Sequence, residues 1–188
     1  MKTLKTLLFV ALTTITIATN AQTKTVDIAK STVNWVGKKL AGQHSGTIAL
    51  KNGTLIFKKD KLVGGNFVIN MTTINTTDLK AGEGKEDLDG HLKSGDFFGV
   101  EKFPTSTLVF KKIGTKAKGI YTVTADLTIK GITNPISFDL ATTANSAATN
   151  LKVNRTKYDI KYGSGSFFDN LGDKTISDDF ELNVALKY

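Results

Sequence analysis

Apolar and polar residues alternate with a period of two along much of this chain. In the clearest run, 121–129, every odd-numbered residue is apolar and every even-numbered residue is Thr or Asp. Such alternation is typical of β-strands that bury one side and expose the other. The sequence therefore predicts an all-β protein. The predicted strands lie at about 31–37, 43–50, 54–58, 63–73, 105–112, 119–130, 134–143 and 149–160, with a ninth run at 175–187.

Residues that favour turns separate these runs. Asn52-Gly53 lies between two apolar runs and predicts a hairpin, and Gly64-Gly65 predicts a bulge or a sharp bend. One segment, 86–93, has helical spacing, with Leu88 and Leu92 four residues apart and acidic residues in its first turn. Antiparallel strands with one short helical insert predict a sandwich or a closed barrel. Closure removes exposed sheet edges, and eight strands leave room for side chains or one small ligand.

The N-terminal segment differs from the rest of the chain. Lys2 and Lys5 precede a mostly apolar stretch, 7–18, and small residues then lead to Ala21. This order predicts a secretory signal peptide over 1–21 and a single mature domain over 22–188. The apolar stretch is shorter than the roughly 20 residues of a spanning helix, so we expect no stable membrane insertion. The expected localisation is the periplasm, with secretion as the alternative.

Composition excludes several classes of function. The chain has no cysteine, which rules out disulfides, thiolate metal sites and a cysteine nucleophile. Its 25 Lys and Arg outnumber its 17 Asp and Glu, but the lysines are scattered and Arg155 is the only arginine. Nucleic-acid-binding proteins usually cluster arginines on one face, so no nucleic-acid partner is expected. Weak attraction to anionic head groups is compatible with this charge.

Few residues could support catalysis or hold a metal ion. His44 and His91 are the only histidines, and neither has a partner at metal-binding spacing, so no metal site is predicted. His91, Ser94 and Asp96 are close enough in sequence to form a Ser–His–acid set. No strained nucleophile turn or glycine-rich oxyanion loop accompanies them. An enzyme built on these three residues is therefore the alternative to a binding protein.

Aromatic residues are abundant for a chain with one core. Phe97-Phe98 and Phe167-Phe168 lie in regions punctuated by Gly and Asp rather than in predicted strands. Paired aromatics outside strands either plug one end of a barrel or line its mouth. Apolar pockets with few polar groups are the usual shape of a small-molecule site. The residues alone thus leave both a filled and a hollow barrel open.

Two blocks of sequence resemble the YceI-like polyisoprenoid-binding family. The first, 88–98, reads Leu-Asp-Gly-His-Leu-Lys-Ser-Gly-Asp-Phe-Phe and is followed by Phe-Pro-Thr at 103–105. The second, 126–136, reads Asp-Leu-Thr-Ile-Lys-Gly-Ile-Thr-Asn-Pro-Ile. A weaker match is Asn-Arg-Thr-Lys-Tyr at 154–158, followed by Asp159 where the family has Gly. The resemblance extends over most of the chain.

The resemblance implies a lipocalin-like barrel of eight antiparallel strands around an apolar tunnel. It also implies export and an isoprenoid lipid ligand, of the polyprenyl phosphate or quinone type, with no other cofactor. The alternation of strand faces suggests a lining, and basic residues in the matching blocks suggest a head-group end. The predicted lining is Trp35, Phe67, Ile69, Phe97, Phe98, Phe103, Phe110, Leu127 and Phe138, and the predicted head-group end is His91, Lys93 and Arg155.

Three functions follow from these patterns. The favoured one is an exported protein that sequesters or carries such a lipid. The alternatives are an enzyme that acts on the lipid through His91, Ser94 and Asp96, and a structural or stress-response barrel whose interior is filled solid. For Arg155, an ion pair with a carboxylate such as Asp96 or Asp126 is the structural alternative to a head-group role. Exposed edge strands could also pair two copies into a homodimer.

Overall fold

The computed structural model describes residues 21–188, so the predicted signal peptide lies outside the described residues apart from Ala21. These residues form nine strands, with helix α1 (Lys85–Lys93) between the fourth and the fifth. The strands are β1 (Gln22–Thr25), β2 (Thr32–Lys39), β3 (Gly42–Lys58), β4 (Lys61–Thr76), β5 (Thr105–Ala117), β6 (Ile120–Ile129), β7 (Ile132–Thr142), β8 (Ser146–Asn154) and β9 (Ile176–Lys187).

Strands β2 to β9 close into a barrel. They pair antiparallel in the order β2-β9-β8-β7-β6-β5-β4, and β3 closes the ring because it pairs with both β4 and β2. β1 is an additional strand that pairs with the second half of β3. The prediction of an eight-stranded antiparallel barrel with one short helix is confirmed. Of the two architectures predicted from the residues, the closed barrel is correct and the sandwich is wrong.

The hairpin predicted at Asn52-Gly53 is wrong. β3 runs unbroken through this position, and its register against β4 only shifts between Leu50 and Asn52. Gly53 lies against the ring of Phe67, and a Cβ atom on Gly53 would come within 2.7 Å of that ring. The glycine therefore allows close packing in a bulged strand instead of forming a turn.

The helix and the glycine bulge agree with the sequence pattern. α1 ends at the predicted residue and begins one residue earlier than predicted. In β4, Val63 is an extra residue, because its neighbours Leu62 and Gly64 pair with two consecutive residues of β3. The predicted bulge beside Gly64-Gly65 is thus confirmed.

The predicted strand at 149–160 ends early. β8 stops at Asn154, whose side chain accepts a hydrogen bond from the backbone N–H of Thr156 at 3.0 Å. A short 3₁₀ helix, Arg155–Tyr158, follows. Asp159 then adopts a left-handed φ of 57°. Asp tolerates this region better than most residues, so Asp159 can form the turn that ends the 3₁₀ helix.

The connections give the barrel two different ends. What we call the helix end contains α1 and the two long connections, at 77–104 and 155–175. The opposite turn end consists of the short connections at 59–60, 118–119 and 143–145.

Side chains fill the barrel interior toward the turn end. Leu55 and Val123 have no exposed surface. The ring of Phe110 packs against those of Phe67 and Phe138, with centroid distances of 5.7 and 5.9 Å. This close packing supplies most of the buried apolar contacts that hold a cysteine-free barrel together.

Candidate functional site

An apolar cavity lies inside the barrel toward the helix end. Its volume is about 140 Å³, roughly ten times what a single water molecule requires. The interior is therefore not filled throughout, which contradicts the solid-barrel alternative for this half of the molecule. The apolar residues around the cavity are Val33, Trp35, Ile48, Ile69, Met71, Ile74, Leu92, Phe97, Phe98, Leu127, Ile129, Ile176, Phe180 and Leu182.

Strand periodicity explains how these side chains reach the cavity. Phe180 and Leu182 on β9, and Leu127 and Ile129 on β6, are two residues apart and therefore point to the same face of their strands. The segment after α1 then places Phe97 and Phe98 across the helix end. The cavity is thus enclosed by strands on its sides and by the helical insert at its end.

Trp35 can line the cavity because the residue opposite it on β3 is a glycine, which has no side chain to block the indole ring. Trp35 pairs with Gly46 on β3. A Cβ atom on Gly46 would lie 2.5 Å from the indole ring and 2.0 Å from the carbonyl oxygen of Asn75. Glycine at this position therefore lets the indole lie flat against β3 and face the cavity.

The structure brings five of the nine predicted lining residues to the cavity and leaves four outside it. Phe67, Phe110 and Phe138 belong to the packed half, and Phe103 lies beside Gly131. Alternation identifies the inward face of a strand but carries no information about height along the barrel axis. The five that line the cavity are Trp35, Ile69, Phe97, Phe98 and Leu127.

Phe103 lies outside the cavity, on the surface of the helix end. The amine of Lys102 is 5.4 Å from the centroid of its ring, and a Cβ atom on Gly131 would be in ordinary contact with that ring at 3.4 Å. Phe103 therefore packs on the β6–β7 turn instead of facing the interior.

Several lining residues were not predicted from the sequence. Phe180 and Leu182 belong to an alternating run on β9, and this run is the signal that could have identified them. Leu92 was recognised only as part of the helical spacing of α1. Met71 follows Ile69 at strand spacing on β4, whereas Ile74 is three residues farther on, because the register of β4 against β3 shifts between Asn70 and Asn75.

A polar rim interrupts the apolar wall between β2 and β9. Gly37 pairs with Phe180 and Lys39 pairs with Ile176, so three residues of β9 lie opposite the single residue Lys38. Lys38, Ser177 and Asp179 all border the cavity at this irregularity. Bulges commonly re-aim side chains beside functional sites.

The charges of this rim are paired with one another. The amine of Lys38 lies 2.6 Å from a carboxylate oxygen of Glu181, and the amine of Lys152 lies 3.4 Å from a carboxylate oxygen of Asp179. Of these four residues only Lys38 and Asp179 border the cavity, and each is paired with an opposite charge. The rim is therefore polar but close to neutral.

Arg155 borders the cavity, but its guanidinium is engaged by the protein. It is 4% exposed and donates hydrogen bonds of 2.8–3.0 Å to the carbonyl oxygens of Ser177, Ile160, Tyr162 and Ile176. Burial lowers the pKa of Arg155, and a nearby carboxylate opposes that shift. Four of its five donors are thus used inside the chain.

The carboxylate beside Arg155 is Asp178, at 3.8 Å, so the predicted pairing with Asp96 or Asp126 is wrong. Asp178 also accepts hydrogen bonds of 2.5 Å from the hydroxyls of Ser164 and Ser166. Burial by itself would raise the pKa of Asp178, but the two hydroxyls and the positive charge of Arg155 outweigh it and hold this pKa below its ordinary value. Together these groups fasten the 155–175 connection to β9.

The other predicted head-group residues, His91 and Lys93, lie at the helix end but outside the cavity lining. The His91 ring is held edge-on between Phe97 and Tyr162, with centroid distances of 4.8 and 4.5 Å. Its Nε2 lies 3.4 Å from a carboxylate oxygen of Asp96. Lys93 is the last residue of α1 and is half-buried. Neither His91 nor Lys93 borders the cavity.

The Ser–His–acid set does not assemble as a nucleophile with its base. The hydroxyl of Ser94 donates to the backbone carbonyl of His91 at 2.8 Å and accepts from the N–H of Asp96 at 3.3 Å. Ser94 is the C-cap residue that follows α1, so these bonds complete the helix terminus. A catalytic hydroxyl would instead donate to the imidazole.

Two further searches concern residues 21–188 alone. Within that range, no group of three or more His, Cys, Asp or Glu side chains is arranged to hold a metal ion. None of the helices there combines the length and the apolar character required to cross a bilayer.

An antiparallel eight-stranded barrel with an apolar internal cavity defines the class to which this protein belongs. A family model described as the YceI-like domain matches residues 25–188. The chain therefore belongs to the YceI-like family.

Sequence relatives cover only part of the chain. A UPF0312 protein of Staphylococcus aureus strain MRSA252 is 54% identical over 55 residues, which are 29% of each chain. A UPF0312 protein of Shewanella denitrificans is 31% identical over 86 residues, which are 46% of this chain and 42% of the relative. The chain thus aligns with less than half the length of these curated relatives.

Solved structures share the fold at low sequence identity. BcnA of Burkholderia cenocepacia has a TM-score of 0.69 and 20% identity, over 87% of this chain and 99% of that one. A polyisoprenoid-binding domain from Saccharophagus degradans has a TM-score of 0.58 and 15% identity, over 87% and 96%. A YceI protein of Campylobacter jejuni has a TM-score of 0.57 and 20% identity, over 74% and 81%. These similarities establish the barrel fold.

Proposed function

We propose that this protein is an exported binding protein that sequesters or carries an isoprenoid lipid in its apolar cavity. The observation that carries the proposal is the cavity itself, because a filled barrel could not take up a ligand. A structural neighbour described as a polyisoprenoid-binding domain supports the ligand class. The predicted signal peptide at 1–21 supports export, to the periplasm first and to the medium as the alternative.

The driving force for binding is the transfer of the lipid tail out of water. Burial of apolar surface contributes about 25 cal/mol per Å², and nearly every cavity wall residue away from the rim is aliphatic or aromatic. The packed half of the barrel forms the floor of the cavity. We therefore expect affinity to rise with each added isoprene unit until the cavity is full and then to level off.

The polar end of the ligand would bind at the polar rim of the cavity. Lys38 and Lys152 already face Glu181 and Asp179, and the donors of Arg155 are used on carbonyl oxygens. A phosphate would have to separate these pairs and would lie beside two carboxylates. A neutral head, such as a quinone or an alcohol, needs only hydrogen bonds, so we place the quinone type ahead of the polyprenyl phosphate type.

We propose binding rather than catalysis because the Ser94 hydroxyl is not placed to act as a nucleophile. Its hydroxyl proton is directed at a backbone carbonyl, away from the imidazole of His91. The enzyme alternative predicts turnover of a prenyl substrate that His91→Ala abolishes while lipid capture persists. We expect the intact protein to release every prenyl lipid chemically unchanged.

The single tryptophan provides the direct test, because Trp35 borders the cavity. Titration with farnesol, geranylgeraniol and a short-chain quinone should change its fluorescence saturably, and geranylgeranyl phosphate should bind more weakly than geranylgeraniol. Leu182→Phe, which fills the cavity, should weaken binding by about tenfold or more. Val109→Phe, on the exposed outer face, is the matched control and should bind normally.

Protein purified from its own host should also carry lipid that organic extraction and mass spectrometry detect. If neither the extraction nor the titration shows a ligand, the lipid-binding function is wrong. If geranylgeranyl phosphate binds as well as the alcohol, the function stands and only the preference for a neutral head is wrong.

A further inference from the structure

Two neighbouring hairpins at the turn end carry an excess of positive charge. They are the β3–β4 turn, 58–61, and the end of the β5–β6 hairpin, 112–118, and we call them the lysine end. Together they contain six lysines and one acidic residue, Asp60. Lys116 pairs with Asp139, and among residues 21–188 the other five lysines have no ion-pair partner. All six are exposed: Lys58, Lys59, Lys61, Lys112, Lys116 and Lys118.

The lysines of the β3–β4 turn are unfavourable for the local structure of that turn. Lys58 and Lys61 are directly opposite each other across the two strands, and like charges in that position are destabilising. Lys59 and Asp60 have left-handed φ angles of 50° and 60°, where Asn and Gly are favoured. Local folding therefore does not explain this concentration of lysine.

The charge is also strongly directional. The helix-end segment 77–104 contains seven acidic residues and four lysines. The two ends of the barrel thus have opposite local charge, and an extended anionic surface would attract the lysine end and repel the α1 region.

Exposed aliphatic side chains flank the lysines. Val63, just after the β3–β4 turn, is 50% exposed, and Ile120, just after the β5–β6 turn, is 38% exposed. Neither 58–61 nor 112–118 contains an arginine or an aromatic residue. Nucleic-acid surfaces typically use arginine and base-stacking aromatics, whereas lysines beside small apolar groups suit the headgroup layer of a bilayer.

We propose that the lysine end docks this protein onto the surface of a bilayer that contains anionic lipids. The proposal does not depend on what the cavity holds. Docking in this orientation places α1 and the cavity rim on the side of the molecule that faces away from the membrane. Trp35, in the cavity, then lies away from the lipid.

Co-sedimentation with vesicles tests the proposal. The protein should bind vesicles of phosphatidylcholine and phosphatidylglycerol and should not bind phosphatidylcholine alone. Binding should be strong at ~0.01 M salt and lost at ~1 M salt, because the Debye length falls from roughly 30 Å to 3 Å. Each lysine near the surface should contribute about fivefold in affinity, so Lys58→Glu/Lys61→Glu/Lys118→Glu should lower it by on the order of a hundredfold or more.

Lys80→Glu/Lys157→Glu/Lys174→Glu makes the same change in net charge at exposed positions of the helix end. This control should bind far more tightly than the lysine-end variant, and the far-UV circular dichroism of both should match the unmodified protein. Brominated phosphatidylcholine in the vesicles should leave Trp35 fluorescence unquenched. Equal losses in the two variants, binding to phosphatidylcholine alone, quenching of Trp35, or binding to single-stranded DNA without binding to vesicles would each overturn the proposal.

Discussion

The two halves of the barrel have the same strands but different interiors. Toward the turn end, aromatic rings such as Phe67 and Phe110 interlock and residues such as Val123 are completely buried. Toward the helix end, the same inward face of the strands surrounds a cavity of about 140 Å³. The packed half supplies the stability of the barrel, and this leaves the other half free to remain hollow.

The two halves are also closed differently. Turns of two or three residues complete the turn end, whereas α1 and the 155–175 connection cover the helix end. That connection is fastened by Arg155 and Asp178 through hydrogen bonds to backbone carbonyls and serine hydroxyls. The helix end is thus held by hydrogen bonds and charges, and the turn end by apolar packing. Mutations and pH should therefore change the stability of the two ends differently.

Replacement of an aromatic residue by alanine should show the largest difference in stability loss between the two halves. Phe67→Ala should lower the free energy of unfolding by about 3–5 kcal/mol, because it opens a void among packed rings. Phe98→Ala should lower it by only about 1–2 kcal/mol, because Phe98 is half-buried and faces existing space. Urea titration of both variants measures the difference. Equal losses would mean that the halves do not differ in packing.

Enlargement of a buried side chain should also destabilise the two halves to different extents, but the difference should be smaller. Val123→Phe should destabilise the barrel by about 1–3 kcal/mol, since Val123 has no space around it. Leu182→Phe should cost less than about 1.5 kcal/mol, because the added ring atoms enter the cavity. Thermal unfolding compares the two variants. A larger loss for Leu182→Phe would show that the cavity cannot be occupied.

The fastening at the helix end should depend on pH. The pKa of Asp178 is lower in the folded protein than its ordinary value of about 3.9 in an unfolded chain. Its contribution to stability is therefore complete above about pH 4 and is lost as the pH falls through the folded-state pKa. Asp178→Asn should destabilise by about 1–2 kcal/mol at neutral pH, through weaker hydrogen bonds, and the difference should shrink in acid.

Asp60→Asn is the control for this comparison, because Asp60 is exposed at the turn end. It should change stability by less than about 0.5 kcal/mol at neutral pH. Melting temperatures from pH 2 to pH 7 would test both variants. An Asp178→Asn difference that stays constant with pH would contradict the role assigned to this carboxylate.

The amino-acid sequence by itself predicted an all-β protein, one short helix and the faces of most strands. Period-two alternation predicted the strands, and the spacing of Leu88 and Leu92 predicted α1, because both patterns depend only on which neighbours share a face. The same rule identified Trp35, Ile69 and Leu127 as inward-facing. Family-specific blocks at 88–98 and 126–136 correctly indicated the YceI-like family.

The tertiary structure alone decided which inward residues surround space and which fill it. Phe67 and Phe138 obey the same alternation as Leu127, but they sit at a height where rings from facing strands meet. The local sequence around Gly53 predicts a turn, but in the structure this glycine makes room for the ring of Phe67, 14 residues away along the chain. The carboxylate beside Arg155 likewise belongs to a distant residue, Asp178 on β9. Height along the axis and long-range contacts depend on how strands are staggered around the barrel, which no local pattern encodes.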